Sequence, residues 1–596
     1  MTKYDIIIKE KEVNMLEIIK NQRSEYYIVN NKDASVCERF AASELEKYLY
    51  LSTNCPLPIY SDKCDKYGKE IIIGRARGNK KDERLNNLSD EAFIIKEAGD
   101  DLIIDGNSPR AILYAVYRFL EDYIHFRCFA SDCETYKEVD DIVFKNEILF
   151  DFKFEYREVY FTDAFTSCFA SKNMLNSNLA DLGEREGGKN KWFNFHHSFS
   201  DIVSPKEYFD THPEYFSYID GHRVKEHTEL CLSNEDVFKL AVEKVKEWKR
   251  NHIDCHIFSV AQDEWMGHFI KMACECDKCK ALDDKEEAQS ASIINFVSKV
   301  AREVNKEYPD VLIHTFAYQY SRKPPKTLIP DKNVIVRLCN IECSWSRSIE
   351  EEYRMNPKSR GGLFYDDFMK WSKITNRLYI WDYAVNFRNY LLPFPNLRSM
   401  TKNIEFYKKN NVKGLLMQGN FSHGGGGYLD KLKAYIASRF MRYDNLVLED
   451  EVMEFCKAYY GKKAAKAVFD FIFLFEDAVK GYDLWLYDDS DHPMFTDKLE
   501  EQAANLLNKA YIETEAKYRF RLGELSLNLA YLNLTRLDMD VKDRNEMIDD
   551  FSEAVKAHHI TELFERTKLE YSIDVMKKSQ YAKKRDNWQS LYYIMQ

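Results

Sequence analysis

The sequence predicts an α/β protein, a (β/α)8 TIM barrel with an N-terminal α/β domain and a C-terminal α-helical domain. Between about residues 151 and 445, apolar strand-like runs alternate with amphipathic helices, which is typical of a parallel sheet. Eight such runs can be counted, the number that closes this barrel. Spacing alone does not establish closure, so a doubly wound open sheet is the alternative.

Composition sets the class of protein and excludes several partners. A chain of 596 residues, 45% hydrophobic and 14% aromatic, can bury the cores of several domains. The net charge of −12 provides no global attraction for nucleic acid or for an anionic membrane surface. The first 20 residues lack a signal-peptide core and no apolar run reaches membrane-span length, so a cytoplasmic location is expected. Self-association into a homodimer is left open.

Residues 1–150 are predicted to form the N-terminal α/β domain. Pro109 suits the first turn of a helix that follows the turn and cap residues 105–108. The predicted strands are Tyr26–Asn30, Glu70–Gly74, Ala92–Glu97, Asp101–Asp105 and Ile142–Phe144, and the predicted helices are Ala34–Tyr50 and Pro109–Tyr123.

Residues 151–445 are predicted to form the catalytic barrel, and residues 446–596 a helical domain. The eight barrel strands are Tyr156–Thr162, Trp192–His197, Thr228–Ser233, His256–Gln262, Val311–Tyr318, Val334–Ile341, Arg377–Tyr383 and Gly414–Gly419. The intervening helices include Val237–Arg250, Ala288–Tyr308 and Met400–Asn410. Beyond the barrel, helical patterns cover Leu446–Tyr460, Ala464–Val479, Asp497–Leu522 and Met547–His558.

Carboxylates recur where predicted strands end, which is where barrel enzymes place their catalytic groups. The fourth strand runs into Asp263 and Glu264, beside Trp265, and the sixth and seventh end near Glu342 and Asp382. Glycoside hydrolysis needs one acid to protonate the leaving oxygen and a second carboxylate as nucleophile, base or orienting group. A single strand-end carboxylate more often caps a helix or pairs with an arginine, but recurrence at three strand ends favours catalysis.

Aromatic and polar side chains near the same strand ends are expected to contact a sugar, because flat rings pack on pyranose faces while hydroxyls need polar partners. These are His197, Tyr318, Trp381, Tyr383 and Asn420. The Gly424–Gly427 run lacks the Lys-Ser/Thr of a phosphate-binding loop and is expected to form a mobile loop over the mouth. No cofactor or catalytic metal is expected.

Cysteines are clustered in the run Cys274-Glu275-Cys276-Asp277-Lys278-Cys279. Three thiols at this spacing could bind a structural Zn²⁺, with Cys231 as a fourth ligand. Because no second Cys-x-x-Cys is present, buried or loop-stabilising thiols are the preferred interpretation.

The run from about residue 155 to 461 resembles the domain of glycoside hydrolase family 163 and its relatives among bacterial glycosidase-like proteins. The stretches that carry the resemblance are YREVYFTDAF, HPEYFSYIDG, ELCLSN, VAQDEW, CECDKCKALD, HTFAYQYSRKPPK, VIVRLCNIECSW, LYIWDYAVNFRNYLLPFPNL, MQGNFSHGGG and LKAYIASRF. Upstream, DDLIIDGNSPRAILYAVYRFLEDY is similar to the α/β domain that precedes the barrels of families 20 and 67. The resemblance implies a retaining glycosidase with endo-β-N-acetylglucosaminidase action.

The resemblance assigns roles to two residues. Glu264 matches the acidic position of the family motif, whereas Asp263 replaces an amide and brings the pair closer to the Asp-Glu of family 20. Glu264 is therefore expected to act as acid/base on a β-linked oligosaccharide containing an N-acetylhexosamine, with Asp263 orienting the substrate amide or a nucleophilic water. Burial beside Trp265 and the charge of Asp263 are expected to raise the pKa of Glu264.

Two alternatives to this assignment remain open. In the first, Glu342 or Asp382 supplies the nucleophile of a double displacement. The second arises because Lys431 stands where family members commonly carry a Glu. If that Glu is essential, the chain would be a catalytically silent carbohydrate-binding barrel.

Overall fold

A computed structural model describes residues 12–264, 271–422, 424–536 and 541–578. Trp265, expected beside Glu264, lies outside the described residues. The described amino-terminal residues form ten strands and two α-helices: β1 (Glu12–Ile19), β2 (Tyr26–Asn30), α1 (Val36–Thr53), β3 (Ile59–Ser61), β4 (Lys69–Ile73), β5 (Phe93–Ala98), β6 (Asp101–Gly106), α2 (Pro109–Ile124), β7 (Arg127–Ala130), β8 (Cys133–Thr135), β9 (Ile142–Asn146) and β10 (Ile148–Phe150).

Six of these strands form one mixed sheet, in the order β10-β5-β6-β4-β2-β3. Strands β2, β3, β4 and β6 are parallel, and the β5 pairings are antiparallel. Helix α1 begins at a capping box formed by Ser35 and Glu38, and α2 begins at Pro109 after its N-cap Ser108. The predicted elements of this region are therefore all present, with ends shifted by a few residues.

The central part is a parallel sheet with helices between most of its strands. Its strands are β11 (Tyr156–Tyr160), β12 (Trp192–Phe193), β15 (Ile257–Ser259), β16 (Leu312–Ala317), β17 (Val334–Cys339), β18 (Leu378–Tyr383) and β19 (Val412–Gln418), and a short hairpin consists of β13 (Tyr218–Ile219) and β14 (His222–Arg223). The seven parallel strands follow the order β11-β19-β18-β17-β16-β15-β12.

The predicted third strand, Thr228–Ser233, is not a strand of this sheet. Its Leu230 makes only an isolated antiparallel bridge to Phe216. The neighbouring Cys231 N–H also bonds outside the sheet, because it donates to the Tyr215 carbonyl. Strand β12 pairs directly with β15 instead. Seven of the eight predicted strands therefore join the sheet.

The sheet curls, so that its two edge strands face each other across an interior. The ring of Tyr156 on β11 lies 5.1 Å from that of Trp192 on β12. Between the edges, the buried guanidinium of Arg337 lies 4.1 Å from the Trp192 ring and 4.4 Å from the Phe195 ring. The molecule is thus a mixed α/β protein built on a curled parallel sheet.

The residues described around this sheet form ten α-helices: α3 (Ser167–Lys172), α4 (Phe199–Ile202), α5 (Pro205–Tyr208), α6 (Glu235–Asn251), α7 (Asp277–Glu286), α8 (Ser290–Asn305), α9 (Ile349–Met355), α10 (Arg360–Ile374), α11 (Leu397–Lys409) and α12 (Asp430–Arg442). The described carboxyl-terminal residues form α13 (Leu448–Tyr459), α14 (Ala465–Ala478), α15 (Asp497–Glu513), α16 (Arg519–Arg536), α17 (Val541–Ala557) and α18 (Leu569–Lys578). No helix within the described ranges has the length and apolar character needed to cross a membrane.

Two carboxyl-terminal loops pack on the loop that follows β18. The Phe387 N–H donates to the Leu486 carbonyl in the loop between α14 and α15, at 2.8 Å. The Glu565 N–H donates to the Phe387 carbonyl, at 2.9 Å, from the loop between α17 and α18. Loops between the carboxyl-terminal helices therefore make backbone hydrogen bonds to the loop at the carboxyl end of β18.

Candidate active site

Glu264 lies five residues beyond the end of β15 and is held by two side chains. The Tyr318 hydroxyl, just after β16, donates a 2.8 Å hydrogen bond to its Oε1. The Nε2 of His197 lies 3.6 Å from its Oε2. The Glu264 side chain remains 39% exposed. It is therefore positioned by its neighbours and still accessible to a ligand.

His197 is itself oriented by the backbone of the loop that carries Glu264. Its Nδ1 lies 2.6 Å from the Gln262 carbonyl oxygen, which can only accept, so Nδ1 carries the hydrogen. Nε2 is left to face the Glu264 carboxylate. At 3.6 Å, a proton on Nε2 would make this contact an ion pair.

The pKa of Glu264 shifts in the direction opposite to the expectation. Burial favours the neutral form, but His197, the Tyr318 hydroxyl and the charge of Arg566 outweigh it and lower the pKa to about 2. Glu264 is thus ionised at neutral pH. The expectation of a raised pKa was wrong because the sequence does not reveal which donors face the carboxylate.

Asp263, the neighbour of Glu264, is buried. Its Oδ2 accepts a 2.9 Å hydrogen bond from the Ser200 N–H. Its own N–H donates to the carboxylate of Glu229, at 3.1 Å. Burial raises the pKa of Asp263 to about 6. These contacts fix the backbone from which Glu264 projects.

The other two predicted carboxylates have their own partners. Glu342 is paired with Arg322, which also binds Asp367 at 3.0 Å. Asp382 is buried, and accepts hydrogen bonds from Asn340 at 2.9 Å and from the Tyr407 hydroxyl of α11 at 2.8 Å. Because successive strand residues face opposite sides, Asp382 points toward the helices while its neighbour Trp381 points into the curl. Burial raises the pKa of Asp382 to about 6.

Of the predicted sugar contacts, Trp381 lies among the aromatic rings inside the curl, 5.7 Å from the His196 ring. Its Nε1 donates to Gln418, at 2.6 Å. Tyr383 is buried between the rings of Trp345 and Phe387, each 5.7 Å away.

Asn420 is fully buried, and its side-chain carbon Cγ would lie 3.1 Å from a Cβ added at Gly427. The half-buried His197 and Trp381 are therefore better placed to meet a ligand than the buried Tyr318, Tyr383 and Asn420.

The loop between α17 and α18 brings in two residues that the sequence reasoning missed. The exposed Arg566 helps to lower the pKa of Glu264 through its charge. Burial raises the pKa of the half-buried Glu565, Arg566 opposes this rise, and the charge of Glu264 adds to it. Glu565 is therefore close enough to Glu264 to interact electrostatically. No signal at the strand ends could have found it, because it lies some 300 residues along the chain from Glu264.

The glycine run after β19 lies beneath this loop. A Cβ at Gly424 would overlap the His559 carbonyl oxygen, and one at Gly426 would overlap a side-chain carbon of Ile560. Gly424 and Gly426 are thus packed against the carboxyl-terminal segment.

Lys431, which stands where family members commonly carry a Glu, pairs with a carboxylate from the helical part. Its Nζ lies 2.7 Å from Oε1 of Glu524 on α16. Burial raises the pKa of Glu524 to about 7, although the charge of Lys431 opposes this. The ion pair places a carboxylate next to Lys431 from a distant part of the chain.

A shallow depression at the opposite edge of the sheet is lined by Glu155, Lys332, Asn333, Asn376, Arg377 and Lys413. These residues lie where the strands begin, the end that contributes stability in barrel enzymes. Within the described ranges, two side-chain groups have metal-ligand geometry, the cysteines 231, 274, 276 and 279, and the set Cys128, Glu134 and Cys168. Neither group includes Glu264.

A family model described as a domain of unknown function, DUF4838, matches residues 129–472, more than half of the chain. The chain belongs to this family. No curated protein matches the sequence. The DUF4838 match begins in β7 and ends in α14, so it includes the whole parallel sheet and Glu264.

Solved structures that resemble this DUF4838 protein include glycoside hydrolases. One is BtGH115A, a family GH115 4-O-methyl-α-glucuronidase with specificity for decorated arabinogalactans. It has a TM-score of 0.53 and 10% identity, over 91% of this chain and 77% of that one. Another is a family 89 glycoside hydrolase from Clostridium perfringens, in complex with 2-acetamido-1,2-dideoxynojirmycin. It has a TM-score of 0.51 and 11% identity, over 88% of this chain and 66% of that one. At these identities, the similarity establishes a shared fold.

Proposed function

We propose that this protein is a glycoside hydrolase with Glu264 as a catalytic carboxylate. One observation carries the proposal: the accessible Glu264 stands beyond a strand end, held by Tyr318 and His197, and the loop that carries Glu565 packs on the loop after β18. The pKa values of the two carboxyl groups are shifted in opposite directions, and the charge of Glu264 contributes to the rise at Glu565. Glycosidases need one ionised and one protonated carboxyl group at the same site. The fold shared with glycoside hydrolases supports this choice of chemistry.

The pKa shifts assign the two roles. Glu264, ionised at neutral pH, would attack the anomeric carbon or stabilise the positive charge that develops there. Glu565, with its raised pKa, would protonate the leaving oxygen. The acid role that the sequence suggested for Glu264 is disfavoured, because His197 and Tyr318 stabilise its ionised form. Activity should fall as the pH rises through the pKa of Glu565, because the acid must keep its proton.

The finer proposal concerns the substrate and the architecture. The substrate would be a β-linked oligosaccharide that contains an N-acetylhexosamine, hydrolysed with retention, on the basis of the resemblance to families 163 and 20.

The curled sheet would form a (β/α)8 barrel with one irregular strand at 228–233. The preceding α/β part would be residues 1–150, the catalytic part residues 151–445 and the helical part residues 446–596. A cytoplasmic location would favour short oligosaccharides.

The test compares substrates with good and poor leaving groups, using the full chain. It first requires a screen of aryl glycosides and short N-acetylglucosamine oligosaccharides for turnover. Glu565→Gln should then lower kcat/KM by about 100-fold or more on substrates with poor leaving groups, but little on dinitrophenyl glycosides that need no protonation. Glu264→Gln should lower it by about 1000-fold on both kinds. Glu562→Gln, in the same loop as Glu565, should have little effect.

Other outcomes identify the alternatives. If Glu342→Gln or Asp382→Asn abolished turnover while Glu264→Gln retained it, the catalytic pair would be the one formed by Glu342 and Asp382. If the wild-type chain bound the oligosaccharides in calorimetry but hydrolysed no glycoside in the panel, it would be a silent carbohydrate-binding protein. Either result would refute the assignment of Glu264.

A further inference from the structure

Four cysteines from two separate stretches of the chain converge at one point. The sulfur atoms of Cys231, Cys274, Cys276 and Cys279 all lie within 4.8 Å of one another, and those of Cys231 and Cys276 are 3.6 Å apart. Four thiolates around a tetrahedral zinc ion, with Zn–S bonds of about 2.3 Å, have sulfur atoms about 3.8 Å apart. The observed separations fit such an arrangement.

The cluster is enclosed, as a structural metal site requires. Cys231, Cys274 and Cys279 are buried and Cys276 is half-buried. Cys276 is the N-cap residue of α7 and Cys279 lies in the first turn of that helix. The amino-terminal end of a helix stabilises negative charge, which favours the thiolate form that metals bind.

Donors from a neighbouring hairpin point at one of the sulfur atoms. The Tyr218 N–H donates to Cys274 Sγ at 3.3 Å, and the Arg223 guanidinium lies 3.8 Å from the same sulfur. The Ser233 hydroxyl lies 3.3 to 3.6 Å from the sulfur atoms of the other three cysteines. Hydrogen bonds of this kind orient metal ligands, and Arg223 offsets part of the negative charge of four thiolates.

The second candidate group, Cys128, Glu134 and Cys168, differs in its surroundings. The ammonium group of Lys172 contacts Glu134 and lies 3.4 Å from Cys168 Sγ. A cation supplied by the chain already balances that group. In the four-cysteine cluster, the single positive charge of Arg223 faces four sulfur atoms, so it cannot balance four thiolates.

We propose that Cys231, Cys274, Cys276 and Cys279 bind one structural Zn²⁺ ion. Four sulfur ligands leave no open position for substrate, so the ion takes no part in chemistry. It fixes the chain on both sides of the candidate active site. Cys231 lies two residues after Glu229, whose carboxylate binds the Asp263 N–H, and Cys274 lies ten residues after Glu264. The proposal does not rest on the glycosidase assignment.

The first measurement is the metal content of the full chain, purified under reducing conditions without chelator. Mass spectrometry of the metals should find about one zinc ion per chain, as a single site with four cysteine ligands requires. A mercurial reagent that titrates thiols should release this zinc, detected with a colorimetric zinc indicator. When cells are grown with Co²⁺, the purified protein should show the visible absorption of tetrahedral cobalt thiolate. These readouts use the wild-type protein, so they do not depend on a variant that folds.

Variants then assign the ligands. Cys276→Ser should lose most of the bound zinc, whereas Cys456→Ser, which changes a buried cysteine of α13 outside the cluster, should retain it. The proposal would be overturned by wild-type protein that contains almost no zinc, by iron in place of zinc, or by a disulfide among the four cysteines. Zinc retained in full by both Cys276→Ser and Cys279→Ser would also overturn it.

Discussion

At the scale of single residues, the ionisation of Glu264 depends on two neighbouring side chains. His197 and Tyr318 come from different strand ends and reach the two oxygens of the same carboxylate. Burial acts in the opposite direction and would by itself raise the pKa above the usual value of about 4.3. The role of Glu264 is therefore decided by neighbours that lie 67 and 54 residues from it in the sequence.

Removing both neighbouring side chains should convert Glu264 into a weaker acid. In the wild type, its pKa of about 2 predicts no loss of kcat/KM from this group between pH 8 and about pH 4. In the double variant His197→Phe/Tyr318→Phe, burial remains and the pKa rises above its ordinary value. Activity should then fall as the pH decreases below about 5, because Glu264 becomes protonated. The measurement is the pH profile of kcat/KM on a dinitrophenyl glycoside.

Tyr435→Phe is the matched control for this prediction. The Tyr435 hydroxyl also donates to a glutamate, Glu451, at 2.7 Å, but between α12 and α13. Its loss should leave the pH profile unchanged. An acidic limb near pH 5 already present in the wild type would contradict the low pKa of Glu264.

The sequence identified Glu264, His197 and Tyr318 as candidates because each follows an apolar strand. It could not identify Glu565, since no periodic pattern connects a loop between two carboxyl-terminal helices with the end of β15. It also could not predict the partner of Asp382. Asp382 stands at a strand end like the others. Because successive strand residues face opposite sides of the sheet, its side chain points toward Tyr407.

At the scale of elements, most strands were predictable because an apolar run is enough to specify a buried parallel strand. The run Thr228–Ser233 fails for a local reason. Its backbone pairs antiparallel with Phe216 instead, close to the four-cysteine cluster that includes Cys231. Such pairing between irregular segments produces no alternation of apolar and polar residues by which the sequence could predict it.

The packing of the glycine run against the carboxyl-terminal loop gives an element-scale prediction. Gly424→Ala would place a Cβ in overlap with the His559 carbonyl oxygen, so the loop that carries Glu565 must move. We expect kcat/KM to fall at least 10-fold on glycosides with poor leaving groups, and less on dinitrophenyl glycosides, because protonation by Glu565 is impaired. Amide hydrogen exchange should increase within residues 559–567.

Gly183→Ala provides the control for the glycine prediction. At Gly183, the nearest atom to an added Cβ is 3.5 Å away, an ordinary contact. This variant should keep wild-type activity and exchange. Equal activity of Gly424→Ala and wild type on every substrate would show that the loop position does not matter for catalysis.

At the scale of the whole molecule, a buried ion network joins three regions of the sequence. Glu121 of α2 pairs with Arg439 and Arg442 of α12, each at 3.2 Å. Arg439 also pairs with Glu451 of α13 at 3.1 Å. Burial by itself would raise the pKa of Glu121, but Arg442 and Arg439, helped by Arg127 and the Tyr443 hydroxyl, outweigh it and lower the pKa to about 2. The amino-terminal, central and helical regions are thus connected by ion pairs that must be broken together.

We therefore expect the described parts of the chain to unfold in one cooperative transition that depends strongly on Glu121. Glu121→Ala would leave two buried arginines without this partner and should lower the free energy of unfolding by about 3–5 kcal/mol at pH 7. Because the folded-state pKa is depressed, this stabilisation is fully present above the unfolded pKa of about 4.3 and is lost as the pH falls toward 2. The measurement is urea unfolding followed by circular dichroism and by tryptophan fluorescence.

Asp470→Ala is the control for the network, because its pair with Lys466 is an exposed contact within α14. Its loss should change the free energy of unfolding by less than about 1 kcal/mol. Coincident curves from the two probes, shifted together by Glu121→Ala, would show that the network connects the regions. Two separate transitions, with only one of them moved by the substitution, would mean that the regions unfold independently and that the network stabilises only one of them.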